Sequence, residues 1–250
     1  MFSQAYGLGF LELSIMLHLY HLNNSRSFRV VWLLEELKLA YGLEYQLHLI
    51  ERDQKTFLAP KNLEQIHPMG KAPILIDDRL PKGEQVLAES ALILSYLLKA
   101  YDSKAYFYPA AANPNEQAND KVWRDYTFWI HFAEGSLMPP LVMGLILDKA
   151  RQKSPWFVKP VLNKFNSSIH QIILDKNVMN ALKMLEIALA DKLYLTGQFS
   201  AADIQMYLAV YGTRLRGLIP QTHTNTHAWL GTCESRQGFK SAISLAGSPL

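Results

Sequence analysis

The sequence predicts two domains, an α/β domain of order β-α-β-α-β-β-α followed by an all-helical domain. Short apolar runs alternate with helical patterns in the first part of the chain, and a proline leads the third of the predicted strands. The later part shows almost only helical spacing. We expect residues 1–15 to be an extension outside the fold, 16–102 the α/β domain, 103–114 a linker and 115–250 the helical domain.

The first two predicted strands flank a helix that follows a polar break. The apolar run Leu17–Leu22 indicates a strand, and Asn23-Asn24-Ser25-Arg26-Ser27 ends it with polar side chains. From Phe28 to Leu39 apolar residues recur at helical spacing, and Tyr45–Ile50 then alternates as a strand does. This stretch therefore predicts a β-α-β unit.

A proline leads the third strand. Ile74-Leu75-Ile76 is an apolar run typical of a buried strand, and Pro73 is tolerated before it because the first strand residue need not donate to the ladder. Pro73 also restricts Ala72 to an extended conformation. The amide and carbonyl of Ala72 are then left without an obligatory partner, which suits ligand binding, although an ordinary entry from loop to strand has the same pattern.

The remaining chain is helical apart from one strand and one linker. Gln85–Ala88 predicts the last strand, and Glu89-Ser90 begins a helix. Pro109 and Pro114 stand among small and polar residues, which is typical of a linker. We expect Pro139-Pro140 to break or kink the helical pattern. The long helical stretches of the second domain are 116–133, 141–150 and 160–189.

Ser200 and Asp203 predict the start of a core helix. A serine at the N-cap with an acidic residue three positions later resembles a capping box, which satisfies amides at a helix start. The following residues, 204–210, are apolar almost all round, so we expect this helix to run through the core. The role predicted for both residues is structural.

Composition indicates a globular protein and argues against several functions. The chain is 49% hydrophobic and 19% charged, and its scattered Lys and Arg residues, with a net charge of +3, disfavour nucleic-acid binding. The single cysteine, Cys233, excludes an intramolecular disulfide and fits a reducing cytoplasm. Residues 1–15 are too short to span a membrane and lack the cationic region of a signal peptide. We therefore expect a cytoplasmic protein without a membrane span.

Several motifs resemble those of the cytosolic glutathione transferases. Ser25 after the first strand and the Asn-Asn-Ser-Arg-Ser context around it match a serine-type subgroup found in fungi and bacteria. The other matching motifs are Gly70-Lys71-Ala72-Pro73, Glu89-Ser90, Glu134 to Pro140 and Ser200 to Asp203. The resemblance implies a thioredoxin-like first domain with a cis bond before Pro73, and glutathione as co-substrate without a metal.

Ser25 is the catalytic residue that this resemblance implies. The glutathione thiol has a free pKa of about 8.5, and only the thiolate is a good nucleophile. Ser25 stands just before the first helix, where a hydroxyl donor and the positive helix end both favour a thiolate. Ser27 is the alternative donor, and a simple N-cap role stays open for both serines. Tyr20 lies too early to match the tyrosine of tyrosine-type members.

Lys71, Ala72, Pro73, Glu89 and Ser90 are the glutathione-binding residues that the resemblance implies. The backbone of Ala72 would pair with the cysteinyl part of glutathione, and Lys71 would meet a carboxylate or remain solvated. Glu89 suits an ammonium group, while Ser90 and the helix N-terminus suit a carboxylate. A plain helix cap with an acidic first turn is the alternative for this pair.

The resemblance implies a transferase that joins the glutathione thiol to a small hydrophobic electrophile in detoxification, and glutathione-dependent peroxidase activity stays open. A glutaredoxin-like reductase is disfavoured, because no cysteine stands at the helix start. The alternative is a non-catalytic binding or regulatory protein of the same fold. In relatives the electrophile pocket is lined by the helix that here carries Trp123, Tyr126, Trp129 and His131.

The histidines do not predict a metal site. His18 and His21 point to opposite faces of the first strand, and His223 and His227 lie in what reads as a loop. Relatives of this kind are usually two-fold dimers. The apolar composition also predicts leftover apolar surface, so we expect a homodimer.

Overall fold

The computed structural model describes residues 17–109 and 120–250, so the predicted extension 1–15 and part of the predicted linker lie outside the described residues. Within this part, one mixed sheet has the strand order β2-β1-β3-β4. β1 pairs parallel with β2 and antiparallel with β3, and β3 pairs antiparallel with β4. The strands are β1 Leu17–Leu22, β2 Tyr45–Ile50, β3 Ile74–Asp77 and β4 Val86–Ala88.

The helices of the first domain complete a thioredoxin-like fold. They are α1 (Phe28–Tyr41), a short 3₁₀ helix (Lys61–Gln65) and α2 (Ser90–Tyr101). The predicted order β-α-β-α-β-β-α is confirmed, with the 3₁₀ helix in the second helical position. That helix stays short because Pro60 precedes it and Pro68 follows soon after, and a proline ends helical structure before it.

The second domain is all-helical over its described residues, as predicted. Its long first helical run continues through a π-helical turn at Ala133–Leu137, so the predicted break at Pro139-Pro140 does not occur. Both prolines lie in the helix Met138–Lys153 directly after the π-helical turn, so the regular hydrogen-bond ladder is altered where these two backbone donors are missing, and Met138 N–H bonds five residues back to the Ala133 carbonyl. The helices are α3 Lys121–Phe132, α4 Met138–Lys153, α5 Lys159–Ile169, α6 Asp175–Ala188, α7 Ala201–Leu215, α8 Thr224–Ser235 and α9 Gln237–Ala246.

One helical run meets the length and hydropathy expected of a membrane span. Among the described residues, Lys121–Lys153 is long and apolar enough to cross a membrane by these two measures alone. The same run carries buried side chains, Tyr126, Trp129 and Leu137, and it packs against α7. The run is therefore partly buried within the helical domain, with exposed apolar side chains such as Ile146 in its second half.

The two domains share one core around α1. Trp32 of α1 makes edge-to-face contacts with Tyr207 of α7 and Phe239 of α9. Its indole Nε1 donates to Glu36, and both guanidinium nitrogens Nε and Nη2 of Arg236 bind the same carboxylate at 2.7 Å. These contacts fix α1, which follows the Ser25 turn, against the helical domain.

The capping residues of α7 occupy the centre of the helical domain. The Asp203 carboxylate accepts hydrogen bonds from the backbone N–H of Ser200 and of Leu195, each at 3.0 Å, and from the Trp229 indole at 2.9 Å. Asp203 is fully buried. Burial raises the pKa of Asp203 to about 6, although these donors act in the opposite direction.

Candidate active site

The structure brings the five predicted ligand-binding residues into one pocket. Ile74 pairs with Ala88, so the residues before β3 and after β4 meet at one end of the sheet. The pocket is lined by Arg26, Met69, Lys71, Ala72, Pro73, Ala88, Glu89 and Ser90. The predicted cis bond between Ala72 and Pro73 is present.

Glu89 has a backbone conformation that few non-glycine residues adopt. Its φ is 75° at the N-cap of α2, and its carbonyl accepts the Ile93 N–H at 3.0 Å. Such a conformation costs about 1–3 kcal/mol and persists only where the surroundings impose it, often at ligand sites. It presents the exposed Glu89 side chain at the pocket while Ser90 is buried beside it.

Arg26 is a pocket residue that sequence reasoning missed. Its Nη1 binds Oε2 of Glu134 at 2.6 Å, and the other carboxylate oxygen, Oε1, binds the buried Arg29 at 2.5 Å. Burial acts to raise the pKa of Glu134, but the two guanidinium groups outweigh it and hold the pKa below its usual value. The Arg26–Glu134 ion pair joins the Asn-Asn-Ser-Arg-Ser motif to the motif that begins at Glu134. The presence of both motifs in the sequence was the signal that could have pointed to Arg26.

Ser25 lies in the turn that leads into α1, next to Arg26, and is not itself a lining residue of the pocket. It is 8% exposed. Its Oγ lies 2.7 Å from Oγ of Ser27 and accepts the backbone N–H of Ser27 at 3.2 Å. The hydroxyl is therefore held in place and stays close to the surface.

Ser27 is bound more deeply. It has no exposed surface, and its Oγ accepts the Leu22 N–H at 3.1 Å and lies 2.8 Å from Nδ1 of His21. The Ser27 hydroxyl can also donate a longer hydrogen bond, of 3.3 Å, to the Leu22 carbonyl. Because its hydroxyl is hydrogen-bonded to Leu22 and His21 of β1, Ser27 is the less accessible of the two candidate donors.

Two segments with exposed apolar side chains, the loop after β2 and helix α4, approach each other near the Ser25 turn. Arg52 donates to the carbonyls of Asn23 and Asn24, which precede Ser25, and to the carbonyl of Phe57. Phe57 in turn lies 6.0 Å from the Lys149 ammonium of α4. The exposed apolar side chains of these two segments are Phe57, Leu58, Val142, Leu145 and Ile146, the last three sharing the face of α4 that carries Lys149.

The predicted aromatic helix borders a different cavity. Trp123, Tyr126 and His131 line a space of about 900 Å³ between α2 and α3. Trp129 points elsewhere and packs against Phe128 and Phe132. This cavity adjoins the ligand pocket along α2 but shares no lining residue with it.

The histidines are placed largely as expected. His21 is buried and His18 lies on the other face of β1, paired with His48. The loop predicted around His223 and His227 is wrong, because α8 begins at Thr224. In the part of the chain that is described, no group of three or more His, Cys, Asp or Glu side chains could hold a metal ion.

Comparisons with known proteins match both domains. Residues 16–99 match the family described as glutathione S-transferase, N-terminal domain. Glutathione S-transferase 3 of Schizosaccharomyces pombe is 31% identical over 228 residues, which cover 91% of this chain and 86% of that protein. Glutathione S-transferase 1 of Saccharomyces cerevisiae is 29% identical over 229 residues, with 90% and 92% covered.

A solved structure agrees with these relatives. The crystal structure of a glutathione S-transferase from Actinobacillus pleuropneumoniae superposes with a TM-score of 0.67 at 26% identity, covering 93% of this chain and 92% of the other. The sequence and fold matches therefore extend over both the thioredoxin-like and the helical domain. On this evidence, the chain belongs to the glutathione S-transferase family.

Proposed function

We propose that this glutathione transferase activates the thiol of glutathione at Ser25 for attack on small hydrophobic electrophiles. The observation that carries the proposal is the pocket formed by Lys71, Ala72, Pro73, Glu89 and Ser90, which adjoins the Ser25 turn through Arg26. The sequence match covers 86% and 92% of the two relatives named glutathione S-transferase, which supports catalytic turnover rather than a purely regulatory role.

The chemistry requires a thiolate at neutral pH. The Ser25 hydroxyl can donate to the sulfur, and the N-terminus of α1 supplies a positive dipole nearby. The sulfur then forms a bond to the electrophilic carbon. In a substitution the bonding electron pair leaves with the leaving group, and in an addition the displaced pair stays on the electrophile. Ser25 acts as a hydrogen-bond donor, and the nucleophile belongs to glutathione.

The pocket matches the charges of glutathione. Lys71 and Arg26 suit its carboxylates, although Arg26 is shared with Glu134. The N-terminus of α2 with Ser90 suits the γ-glutamyl carboxylate, and the Glu89 carboxylate suits the ammonium of the same residue. The backbone of Ala72 is left to pair with the cysteinyl backbone.

Binding and turnover can be measured separately. We expect the protein to bind immobilised glutathione and to conjugate a chloronitrobenzene. Retention without conjugation of any electrophile in a broad panel would favour the non-catalytic binding protein. No retention at all would contradict the site itself.

The electrophile is expected between Phe57 and the exposed apolar face of α4, because the reacting carbon must come within reach of the sulfur at Ser25 and Arg52 ties the Phe57 loop to the turn before Ser25. Ile146→Ser should raise the KM for a hydrophobic electrophile about tenfold, as one lost apolar contact in a pocket does. Ile146 is 60% exposed, so the change should leave stability almost unaffected.

Trp123→Ala is the matched change in the cavity between α2 and α3. It should leave the KM for the electrophile unchanged. The reverse result, with Trp123→Ala raising KM and Ile146→Ser silent, would move the electrophile to that cavity.

The same thiolate can attack a peroxide oxygen, so we also propose glutathione-dependent peroxidase activity. A hydroperoxide would then be reduced to an alcohol and water while two glutathione molecules are oxidised to the disulfide. A coupled assay of disulfide formation measures it directly, and activity no faster than the uncatalysed reaction would contradict it. We also propose that the protein acts in detoxification in the cytoplasm and has no membrane span. The single cysteine fits the reducing conditions of the cytoplasm.

A further inference from the structure

We propose that His21 is the inner end of a proton relay that runs through Ser27 and Ser25 to the glutathione thiol, so that His21 takes up the proton that the thiol loses. This inference rests on the proposed function, because it describes how the thiol is ionised at Ser25. His21 does not contact the substrate and acts through the two serines, so it is a positioning residue.

Three side chains form a continuous hydrogen-bonded chain. Nδ1 of His21 lies 2.8 Å from Oγ of Ser27, and that oxygen lies 2.7 Å from Oγ of Ser25. His21 and Ser27 have no exposed surface, whereas Ser25 lies at the outer end with 8% exposed. The chain therefore connects a buried base to the turn beside the ligand pocket.

The backbone occupies one acceptor site of each serine hydroxyl, and the Leu22 carbonyl at 3.3 Å is a longer alternative acceptor for the Ser27 proton than His21 at 2.8 Å or Ser25 at 2.7 Å. The Leu22 N–H occupies one acceptor site of Ser27, and the Ser27 N–H occupies one acceptor site of Ser25. Each hydroxyl then has one proton and one further acceptor site for the two neighbours in the relay. With the Ser27 proton on one of the two shorter bonds, to His21 or to Ser25, the hydroxyl protons all point toward His21 or all point toward the pocket.

This coupling makes the state of His21 decisive. When Nδ1 carries no proton, it accepts from Ser27, which accepts from Ser25, and the Ser25 proton is turned away from the sulfur. When Nδ1 carries a proton, it donates to Ser27, Ser27 donates to Ser25, and the Ser25 proton is free to bind a thiolate. A thiolate held by Ser25 thus requires a proton on Nδ1.

The thiol can supply that proton. The S–H bond breaks, Ser25 and Ser27 each gain one proton and pass one on, and an N–H bond forms at Nδ1 of His21. The products are a thiolate bound by the Ser25 hydroxyl and a buried imidazolium. No electrons are transferred and both serines end as neutral hydroxyls.

The surroundings of His21 suit a base that is neutral at rest. Burial, the largest effect, lowers the pKa of His21, while the backbones of Ala246 and Ser27 raise it. No charged side chain of the described segments contributes to this shift. Ala246 is the last residue of α9, where the negative end of the helix dipole favours an imidazolium.

The relay can be tested by counting protons when glutathione binds. Ultraviolet absorbance measures the thiolate formed at pH 7, and calorimetry in buffers of different ionisation enthalpy measures the protons released. If His21 keeps the proton, the wild-type protein should form thiolate while releasing far less than one proton for each thiolate. Thiolate formation with full proton release would overturn the relay but leave the proposed function intact.

His21→Asn is the informative variant, because an amide can still bond to Ser27 but cannot take up a proton. Its kcat/KM should fall about 100-fold at neutral pH, as for loss of a general base, and any thiolate should form with full proton release. The deficit should shrink above about pH 8.5, where the thiol ionises unaided. A pH profile equal to that of the wild type would overturn the relay.

Two further variants serve as an independent test of the relay and as its control. Ser27→Ala interrupts the relay without changing His21 and should reproduce the proton release of His21→Asn, even if that variant folds poorly. His18 lies on the face of β1 opposite to His21, so His18→Asn should behave as the wild type. Failure of the wild-type protein to bind glutathione or to form thiolate would overturn both the relay and the proposed function.

Discussion

Replacing Ser25 with alanine should lower kcat/KM by about 10- to 1000-fold, because one donor to a developing anion is lost. Affinity for glutathione should change little, since the pocket is built by other residues. Steady-state kinetics together with calorimetry separate the two effects. Normal activity in Ser25→Ala, with loss in Ser27→Ala alone, would move the donor to Ser27.

Two substitutions of Glu89 can separate ligand binding from backbone strain. Both Glu89→Ala and Glu89→Gly remove the carboxylate and should weaken glutathione binding about tenfold, the loss of one charge-assisted contact. Only glycine adopts a φ of 75° without steric cost, so Glu89→Gly should be more stable than Glu89→Ala by about 1 kcal/mol.

Denaturant unfolding measures that difference, and isothermal calorimetry measures the affinity. Equal stability of the two variants would mean that the conformation of Glu89 stores no strain. Unchanged affinity in both variants would remove Glu89 from the ligand site. The two readouts therefore test two separate statements about one residue.

The start of α7 should make stability depend on pH. The folded-state pKa of Asp203 is about 6, above its ordinary value of 3.8, so the folded protein retains this proton where the unfolded chain has lost it. Between these two pKa values, the contribution of Asp203 to the free energy of unfolding should fall as pH rises, by about 3 kcal/mol in total.

Asp203→Asn isolates this contribution. The variant should be less stable at every pH, because one amide oxygen cannot replace both carboxylate oxygens toward Ser200, Leu195 and Trp229. Its deficit relative to the wild type should be larger at about pH 4 than at pH 7. A deficit independent of pH, measured by urea unfolding, would contradict the raised pKa.

The helices show where local patterns succeed and fail. The capping motif at Ser200 predicts the start of α7 because both capping residues lie within one turn of each other. The start of α8 was missed because its cap comes from another helix. The Glu186 carboxylate of α6 accepts the backbone N–H of Asn225 at 3.0 Å and of Thr226 at 2.8 Å. No local signal in residues 223–227 reveals such a partner.

We propose that two chains form a two-fold dimer with equivalent sites. Leu92 of α2 and Phe128 of α3 are about half exposed on neighbouring helices of the two domains, which is consistent with a covered apolar face. Sedimentation at micromolar concentration should show twice the chain mass of 28.5 kDa. A species at the mass of one chain would contradict the dimer and leave the proposed catalysis unaffected.

The sequence by itself determined the order of strands and helices and the proline-led strand, and its resemblance to the glutathione transferases indicated Lys71, Ala72, Pro73, Glu89 and Ser90, which the structure places in one pocket. The strands and helices depend on side-chain periodicity among close neighbours in the chain, whereas the pocket residues were indicated by two short motifs shared with the family.

Tertiary structure alone decided three other features. These are the ion pair between Arg26 and Glu134, the burial of Ser27 against His21 and the hydrogen bonds by which Arg52 joins Asn23 to Phe57. The contacts of Glu134 and Arg52 join positions far apart in sequence, and the contact of His21 depends on how the turn into α1 folds back onto β1. Such contacts form only once packing fixes the backbone, so no local pattern encodes them.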